Sequence, residues 1–328
     1  MIVLQSGVPK SGNLWLFKII QQVYLHAGIS PKSFIETQPI FEEAKNWEYF
    51  SEQAAIDYLE IKPEGYFFRK GSYFQQIPDI DQYLHSTNHV WTHSSWNDRF
   101  NEALPKVDKI IYIIRDPRDV AVSASRFVFT PFMQTQHPVH ERDSVEFLNH
   151  RLYELVLHWV QHTGGYLLNK ERYDIHFVFY ERLLENFEDC IQSLSRYLEV
   201  ELSAQDVKRI KETTEFSSMK AKNPHHLSKG ISSQWKTSLT PFQKAQVLRI
   251  AGPILEYLNY PISEEKNLLP VMPETVEYAF IAQAVKKSRG NLLDKFIYAK
   301  AYFSSRRPLI EKIKRGSEFL FGVGHWKI

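Results

Sequence analysis

Gly7-Val8-Pro9-Lys10-Ser11-Gly12 fits the spacing G-x-x-x-x-G. It follows a short apolar run, Ile2 to Gln5, and precedes Leu14 to Val23, a stretch free of helix breakers. Strand, glycine loop and helix in that order can hold a phosphate, because a helix N-terminus offers free N–H groups and the positive end of a dipole. Lys10 adds a full charge. The same residues would also make a tight strand-to-helix turn, and the spacing alone does not separate the two readings. The details do not match a Mg²⁺-dependent nucleoside triphosphatase. That loop closes G-K-[ST], with the lysine on the phosphates and the hydroxyl on the metal. Here Gly12 is followed by Asn13-Leu14, the lysine lies two residues before Gly12, and Leu14 has no oxygen to offer. The expectation is a phosphate loop with no metal.

A second set of residues stands at the end of another buried run. Lys109 to Ile114 (KIIYII) is short, β-branched and apolar on both faces, as a central parallel strand requires. It ends in Arg115-Asp116-Pro117-Arg118-Asp119, where Pro117 and Asp119 suit a helix start. Arg115 reads as a ligand for an anion or as half of a surface ion pair. Ile175 to Phe179 is a third buried strand and delivers Tyr180-Glu181. Helical patterns cover 145–168 and recur near 181–198, 204–212 and 241–258. Strands alternating with helices predict an α/β fold, a P-loop-like, mainly parallel sheet flanked by helices. By default Trp15 and Tyr180 are core aromatics and His93 is one of thirteen histidines.

The totals narrow the partners. The 328 residues carry 40 Lys and Arg against 38 Asp and Glu, so the net charge of +2 favours no nucleic acid. Cys190 is the single cysteine, which rules out an intramolecular disulfide and suits a reducing compartment. No basic segment precedes a long apolar run at the start, and no stretch reaches the ~18 apolar residues of a membrane span. A soluble, cytoplasmic protein is expected.

Five segments, in order, resemble the motifs of the cytosolic sulfotransferases that use 3′-phosphoadenosine 5′-phosphosulfate (PAPS). Pro9-Lys10-Ser11-Gly12-Asn13-Leu14-Trp15-Leu16 resembles P-K-S-G-T-T-W-L. Arg115-Asp116-Pro117-Arg118-Asp119-Val120-Ala121-Val122-Ser123 resembles R-[ND]-P-R-D-V-A-V-S. Tyr180-Glu181 resembles the start of Y-E-D, and residues 216–224 resemble F-x-x-M-K-x-N-P with one insertion. Residues 228–237 resemble R-K-G-x-x-G-D-W-K. The resemblance runs over residues 1–258.

It implies a sulfonate transfer from PAPS to a hydroxyl of a small acceptor, with release of 3′-phosphoadenosine 5′-phosphate (PAP). Lys10 and the loop Ser11, Gly12, Asn13 and Leu14 would hold the 5′-phosphosulfate. Arg115 and Ser123 would take the 3′-phosphate, with Lys229 and the amide of Gly230. Trp15, Tyr180, Thr214 and Phe216 would surround the adenine. His93, in Trp91-Thr92-His93, matches the base in K-T-H, and Lys10 is the second catalytic residue. A compact dianion suits an arginine fork and a hydroxyl. A histidine with an ordinary pKa near ~6.5 can take a hydroxyl proton at neutral pH. A sulfonate carries less charge than a γ-phosphate and has less need of a metal.

The sequence departs from the family in several places. Ser228 stands where the first arginine of R-K-G would be, Trp91 where a lysine would precede T-H, and Ser233-Gln234 where G-D would be. The dimer stretch K-x-x-x-T-V-x-x-x-E reads Lys236, Thr240, Pro241, Ala245, so that dimer mode is degraded. Two rival readings follow: a P-loop kinase-like phosphoryl transferase, which would need the metal handle, and a catalytically silent nucleotide-binding protein.

Segments 31–90 and 126–145 are rich in aromatics, among them Phe67, Phe68, Phe74, Phe127 and Phe132, and are expected to frame a partly apolar acceptor. The domain is read as residues 1–262. Residues 263–328 form an appended, basic, helical tail: positions 271–328 hold eleven Lys and Arg against five Asp and Glu, a surplus of six. The tail either packs on the domain with a solvated basic face or makes peripheral contact with an anionic membrane.

Overall fold

A computed structural model of the chain describes residues 1–48, 51–71, 73–215, 230–264 and 268–290. The strands are β1 Val3–Gly7, β2 Asp57–Lys62, β3 Gly65–Lys70, β4 Tyr73–Ile77, β5 His89–Thr92, β6 Lys109–Ile114 and β7 Ile175–Phe179. The helices begin with α1 Asn13–His26, α2 Pro39–Ala44, α3 Ile80–His85, α4 Phe100–Ala103, α5 Pro117–Phe127, α6 Pro131–Gln136 and α7 Ser144–Leu167. They continue with α8 Tyr180–Glu185, α9 Phe187–Tyr197, α10 Ala204–Thr214, α11 Trp235–Ser238, α12 Pro241–Tyr257 and α13 Tyr278–Gly290.

The seven strands form one sheet in the order β4-β3-β2-β5-β1-β6-β7. From β2 to β7 every neighbouring pair is parallel, while β3 and β4 add on antiparallel. The α/β, mainly parallel architecture agrees with the sequence pattern. β1 and β6 sit at the centre and are buried nearly throughout, which is why they read as continuous apolar runs.

The sequence reading places no strand between β1 and residue 109, whereas four lie there. Tyr58, Glu60 and Lys62 alternate with buried Asp57, Leu59 and Ile61, a half-buried strand with period two. The charges at the outward positions disguise it. Tyr66 and Phe68 of β3 join the core, so part of the aromatic wealth of 31–90 is structural.

Helices cover both faces. Val3, Ile111 and Ile113 pack with Leu16, Ile19 and Ile20 of α1 and with Ile191 and Leu194 of α9. Leu4, Tyr112 and Ile114 pack with Val156, Trp159 and Val160 of α7 on the other side. Full burial of one such side chain contributes about 1.5–3 kcal/mol. α13 lies against α7 and buries Ile281 and Ala284. Gly164 of α7 allows that approach: a Cβ there would stand 2.3 Å from Val285 Cγ2. Residues 291–328 lie outside the described residues.

Three positions of the stretch compared with the dimer motif make contacts within the chain. Thr240 caps α12 in a reciprocal pair with Gln243, Pro241 fills the first helical position, and Lys236 Nζ donates to the Glu264 carbonyl at 2.7 Å. Among the described residues, no helix is long and apolar enough to cross a membrane.

Candidate active site

Four parallel strands deliver the chemistry at one edge of the sheet. Immediately beyond their C-terminal ends come the loop after Gly7 (β1), His93 (β5), Arg115 (β6) and Tyr180 (β7). In open α/β sheets this edge is where ligands bind.

The loop between β1 and α1 is tightly wound. Lys10 has φ 73° and Gly12 φ 98°, both left-handed. A non-glycine residue held there marks a backbone fixed by its surroundings. Gly12 is required for a second reason: a Cβ would meet Tyr180 Cδ2 at 2.5 Å. Asn13 Nδ2 donates to the Val8 carbonyl at 2.9 Å and closes the loop, and Gln5 Nε2 donates to the Asn13 carbonyl at 2.7 Å from below.

Several buried polar atoms around this loop have no hydrogen-bond partner among the described residues: Ser11 Oγ, Asn13 Oδ1, Trp15 Nε1 and Arg115 Nε. Such groups cost about 1–3 kcal/mol each when left unmade. Of these, Ser11 Oγ, Trp15 Nε1 and Arg115 Nε can donate to an anionic ligand at the helix N-terminus, while Asn13 Oδ1 can only accept. The residues present therefore fit a nucleotide phosphate.

Arg115 ties the site together. Its Nη1 donates to the Lys10 carbonyl at 3.1 Å and its Nη2 to the Ile231 carbonyl at 3.0 Å. Its guanidinium carbon lies 4.1 Å from the centre of the Tyr180 ring. Tyr180 in turn meets Trp15 edge-on at 5.7 Å. Lys10 Nζ sits 3.5 Å over the Phe127 ring. Burial and the neighbouring Arg115 lower the Lys10 pKa to about 7.

His93 stands on the other side of Gly7. Its Nδ1 is 2.5 Å from the Gly7 carbonyl oxygen, which can only accept. Nδ1 therefore carries the hydrogen, and Nε2 of the neutral ring keeps its lone pair. Desolvation, with smaller contributions from His158 and Lys10, holds the His93 pKa down at about 4, so the ring is unprotonated at neutral pH. Tyr58 packs edge-on against it at 5.4 Å, as does Trp91.

The R-D-P-R-D segment does more than the sequence reading assigned. Pro117 and Asp119 lie in the first turn of α5 as expected, and Asp116 caps it, accepting from the Arg118 amide at 2.9 Å. Arg118 forks onto Asp116, lies 3.7 Å over Trp235 and donates to the Pro261 carbonyl at 2.6 Å. The Asp119 carboxylate accepts from the amides of Ser233 and Trp235 at 2.6 and 2.9 Å. These bonds fix the segment that Arg115 reaches at Ile231. Trp159 of α7 donates to the Arg115 carbonyl at 2.9 Å. A lone tryptophan inside a long apolar helix gave no sequence signal for that role.

The remaining expected residues divide. Ser123 is buried on α5. Thr214 is buried at the end of α10, and its hydroxyl donates to its own helix at Ile210, 2.6 Å away. Gly230 is left-handed, with φ 62°. Phe216 and Lys229 lie outside the described residues. Among those described, no group of three His, Cys, Asp or Glu side chains stands where it could hold a metal.

The sulfotransferase domain family matches residues 2–257. Sulfotransferase 1E1 of Homo sapiens is 27% identical over 256 residues, covering 71% of this chain and 76% of that protein. Sulfotransferase 1A1 of Canis lupus familiaris is 26% identical over 263 residues, covering 74% and 79%. Among solved structures, retinol dehydratase in complex with androsterone and the inactive cofactor PAP superposes with a TM-score of 0.51. It is 18% identical, covers 77% of this chain and 80% of that one, and bears on the fold. With the family matched from β1 to the end of α12, the chain belongs to the sulfotransferase family and is a PAPS-dependent sulfotransferase.

Proposed function

We propose that this enzyme sulfonates a hydroxyl on a small, partly apolar acceptor, with His93 as base and Lys10 as the cation at the transferring group. The observation that carries the reading is the pairing of two features across Gly7. On one side is a loop ringed by unpartnered buried polar atoms. On the other is a histidine whose tautomer leaves Nε2 free to accept a proton.

Nε2 takes the acceptor's hydroxyl proton as the acceptor oxygen bonds to sulfur. The bond from sulfur to the bridging oxygen breaks, and PAP leaves with that oxygen. Lys10 offsets the charge that develops there. The loop Ser11 to Leu14 holds the 5′-phosphosulfate. Arg115 and Ser123, with Lys229 and Gly230, hold the 3′-phosphate, toward which Arg115 Nε is a donor with no partner among the described residues. Trp15 and Tyr180 face the adenine, with Phe216, and Thr214 contributes packing alone. Phe127, beside Lys10, and Tyr58, beside His93, supply apolar walls for the acceptor.

The reading takes residues 1–262 as the catalytic domain and 263–328 as an extension whose helix α13 lies on α7. A single cysteine and the lack of a metal handle in the loop fit a cytoplasmic enzyme using PAPS alone.

The test is nucleotide discrimination followed by turnover. PAP should raise the melting temperature far more than adenosine 5′-phosphosulfate, which lacks the 3′-phosphate. Arg115→Ala removes a charge-assisted contact of about 1.5–3 kcal/mol and should weaken PAP at least tenfold. With labelled PAPS and a panel of phenols and alicyclic alcohols, label should move to an acceptor and His93→Ala should slow it about 10²-fold. Equal stabilisation by both nucleotides would overturn the 3′-phosphate assignment.

A further inference from the structure

The loop that carries His93 leans on one stripe of α7. His158, His162 and Tyr166 recur at every fourth residue and so lie along one side of the helix. Each meets a different residue of the loop. His162 Nε2 is 3.2 Å from the His93 carbonyl, the Tyr166 hydroxyl donates to the Ser94 carbonyl at 3.2 Å, and His158 Nε2 is 3.5 Å from Ser95 Oγ. The next residue, Trp96, lies on Gly165, where a Cβ would come within 2.7 Å of Trp96 Cβ.

The hydrogens in this network can be assigned. A carbonyl only accepts, so His162 Nε2 bears hydrogen and Nδ1 accepts from the Tyr112 hydroxyl at 2.8 Å. Tyr112 oxygen is then free to accept from Thr163 Oγ1 at 3.2 Å. His162 is fully buried, and desolvation keeps its pKa far below the ordinary value, so the direction of these bonds does not reverse near neutrality. Tyr166 has a second link: it accepts from Ser6 Oγ at 2.8 Å, one residue before the Gly7 carbonyl that holds His93 Nδ1. The histidine and the carbonyl that sets its tautomer are thus fastened to the same helix.

We infer that the α7 stripe His158, His162 and Tyr166 is the positioning device for His93, fixing both its backbone and its approach to Gly7. The inference rests on His93 being the base. A displacement of about 1 Å can cost about 10²-fold in rate, so hydrogen bonds remote from the substrate can act on turnover alone.

Tyr166→Phe keeps the ring and removes the hydroxyl. His162→Gln keeps an N–H near Nε2, and His162→Leu removes it. In the full-length protein, the His93 imidazole N–H signal is assigned by its loss in His93→Gln. Tyr166→Phe and His162→Leu should shift or broaden that signal, and His162→Gln should restore much of it. With PAPS and 2-naphthol, Tyr166→Phe and His162→Leu should lower kcat tenfold or more, with KM for PAPS within about twofold of wild type. An unchanged N–H signal in Tyr166→Phe overturns the proposal whether or not 2-naphthol is an acceptor, and so does a proportionate loss of PAP binding. If His93→Gln is inactive while Tyr166→Phe keeps both signal and rate, positioning alone fails. If His93→Gln itself retains the wild-type rate, the base assignment fails and takes the proposal with it.

Discussion

Replacing Gly12 by alanine tests the loop geometry at a single atom. The substitution has two costs. Gly12 sits at φ 98°, and an L-residue in the left-handed region costs about 1–2 kcal/mol. The new methyl would also stand 2.5 Å from Tyr180 Cδ2 and 3.0 Å from Cε2, so ring or loop must move by about 1 Å, an overpacking cost of about 1–3 kcal/mol. The total is about 2–5 kcal/mol, and at about 2 °C per kcal/mol the melting temperature should fall by about 4–10 °C. The two costs separate in a double-mutant cycle. In a Tyr180→Ala background the ring is gone, so Gly12→Ala should cost only its backbone share, about 1–2 kcal/mol. Thermal melts of the four proteins, with and without PAP, read this directly. PAP should stabilise Gly12→Ala much less than wild type, because the loop amides and Arg115, which is bonded to Lys10, move together. An equal cost of Gly12→Ala in both backgrounds would refute the contact, and a wild-type PAP shift would refute the loop as the phosphate site.

Further predictions concern pH and the tail. The proposed mechanism requires His93 unprotonated and Lys10 protonated. With pKa values of about 4 and about 7, kcat/KM for PAPS should fall below about pH 4 and again as pH rises through about 7. kcat at saturating PAPS should persist to higher pH, since a bound anion raises the Lys10 pKa; a kcat/KM flat to pH 9 would contradict this. For the tail, α13 already buries Ile281 in the domain, so a useful truncation ends after Gly290. Neither that protein nor the full chain should sediment with anionic vesicles, and retention of the full chain alone at low salt would assign residues 291–328 to the membrane surface.

Legibility followed burial. β1, β6 and β7 are apolar on both faces and stand out as runs, and the residues just beyond them, Lys10, Arg115 and Tyr180, could be read as site residues. β2 and β3 have one half-exposed face, where charges such as Glu60, Lys62 and Arg69 break the apolar pattern, and β4 is exposed along most of its length. The candidate phosphate loop was visible as glycine spacing, which a tight turn would share, and only the P-K-S-G resemblance favoured the phosphate reading. The proposed base could be picked out only through Trp91-Thr92-His93, because thirteen histidines share its residue type and nothing local distinguishes it. Partners that act across long sequence separations stayed hidden. Trp159 beneath Arg115, Asp119 on Ser233 and Trp235, and the α7 stripe under His93 depend on which helix crosses which strand end.

The arrangement of one site residue beyond each of four parallel strands has a consequence for which length changes the gene can accept. Side chains alternate between the two faces of a strand, so losing or gaining one residue within β1, β5, β6 or β7 would turn the group that follows toward the opposite layer and shift it by about 3.3 Å. No repacking elsewhere restores that. The antiparallel hairpin turn between β2 and β3 at Pro63-Glu64 carries no such group, nor do the connections at the far edge of the sheet, such as Val107-Asp108 before β6. Insertions and deletions should therefore be tolerated at those turns and be nearly absent from the last residues of the four central strands, a pattern that deep indel scanning of this chain would reveal.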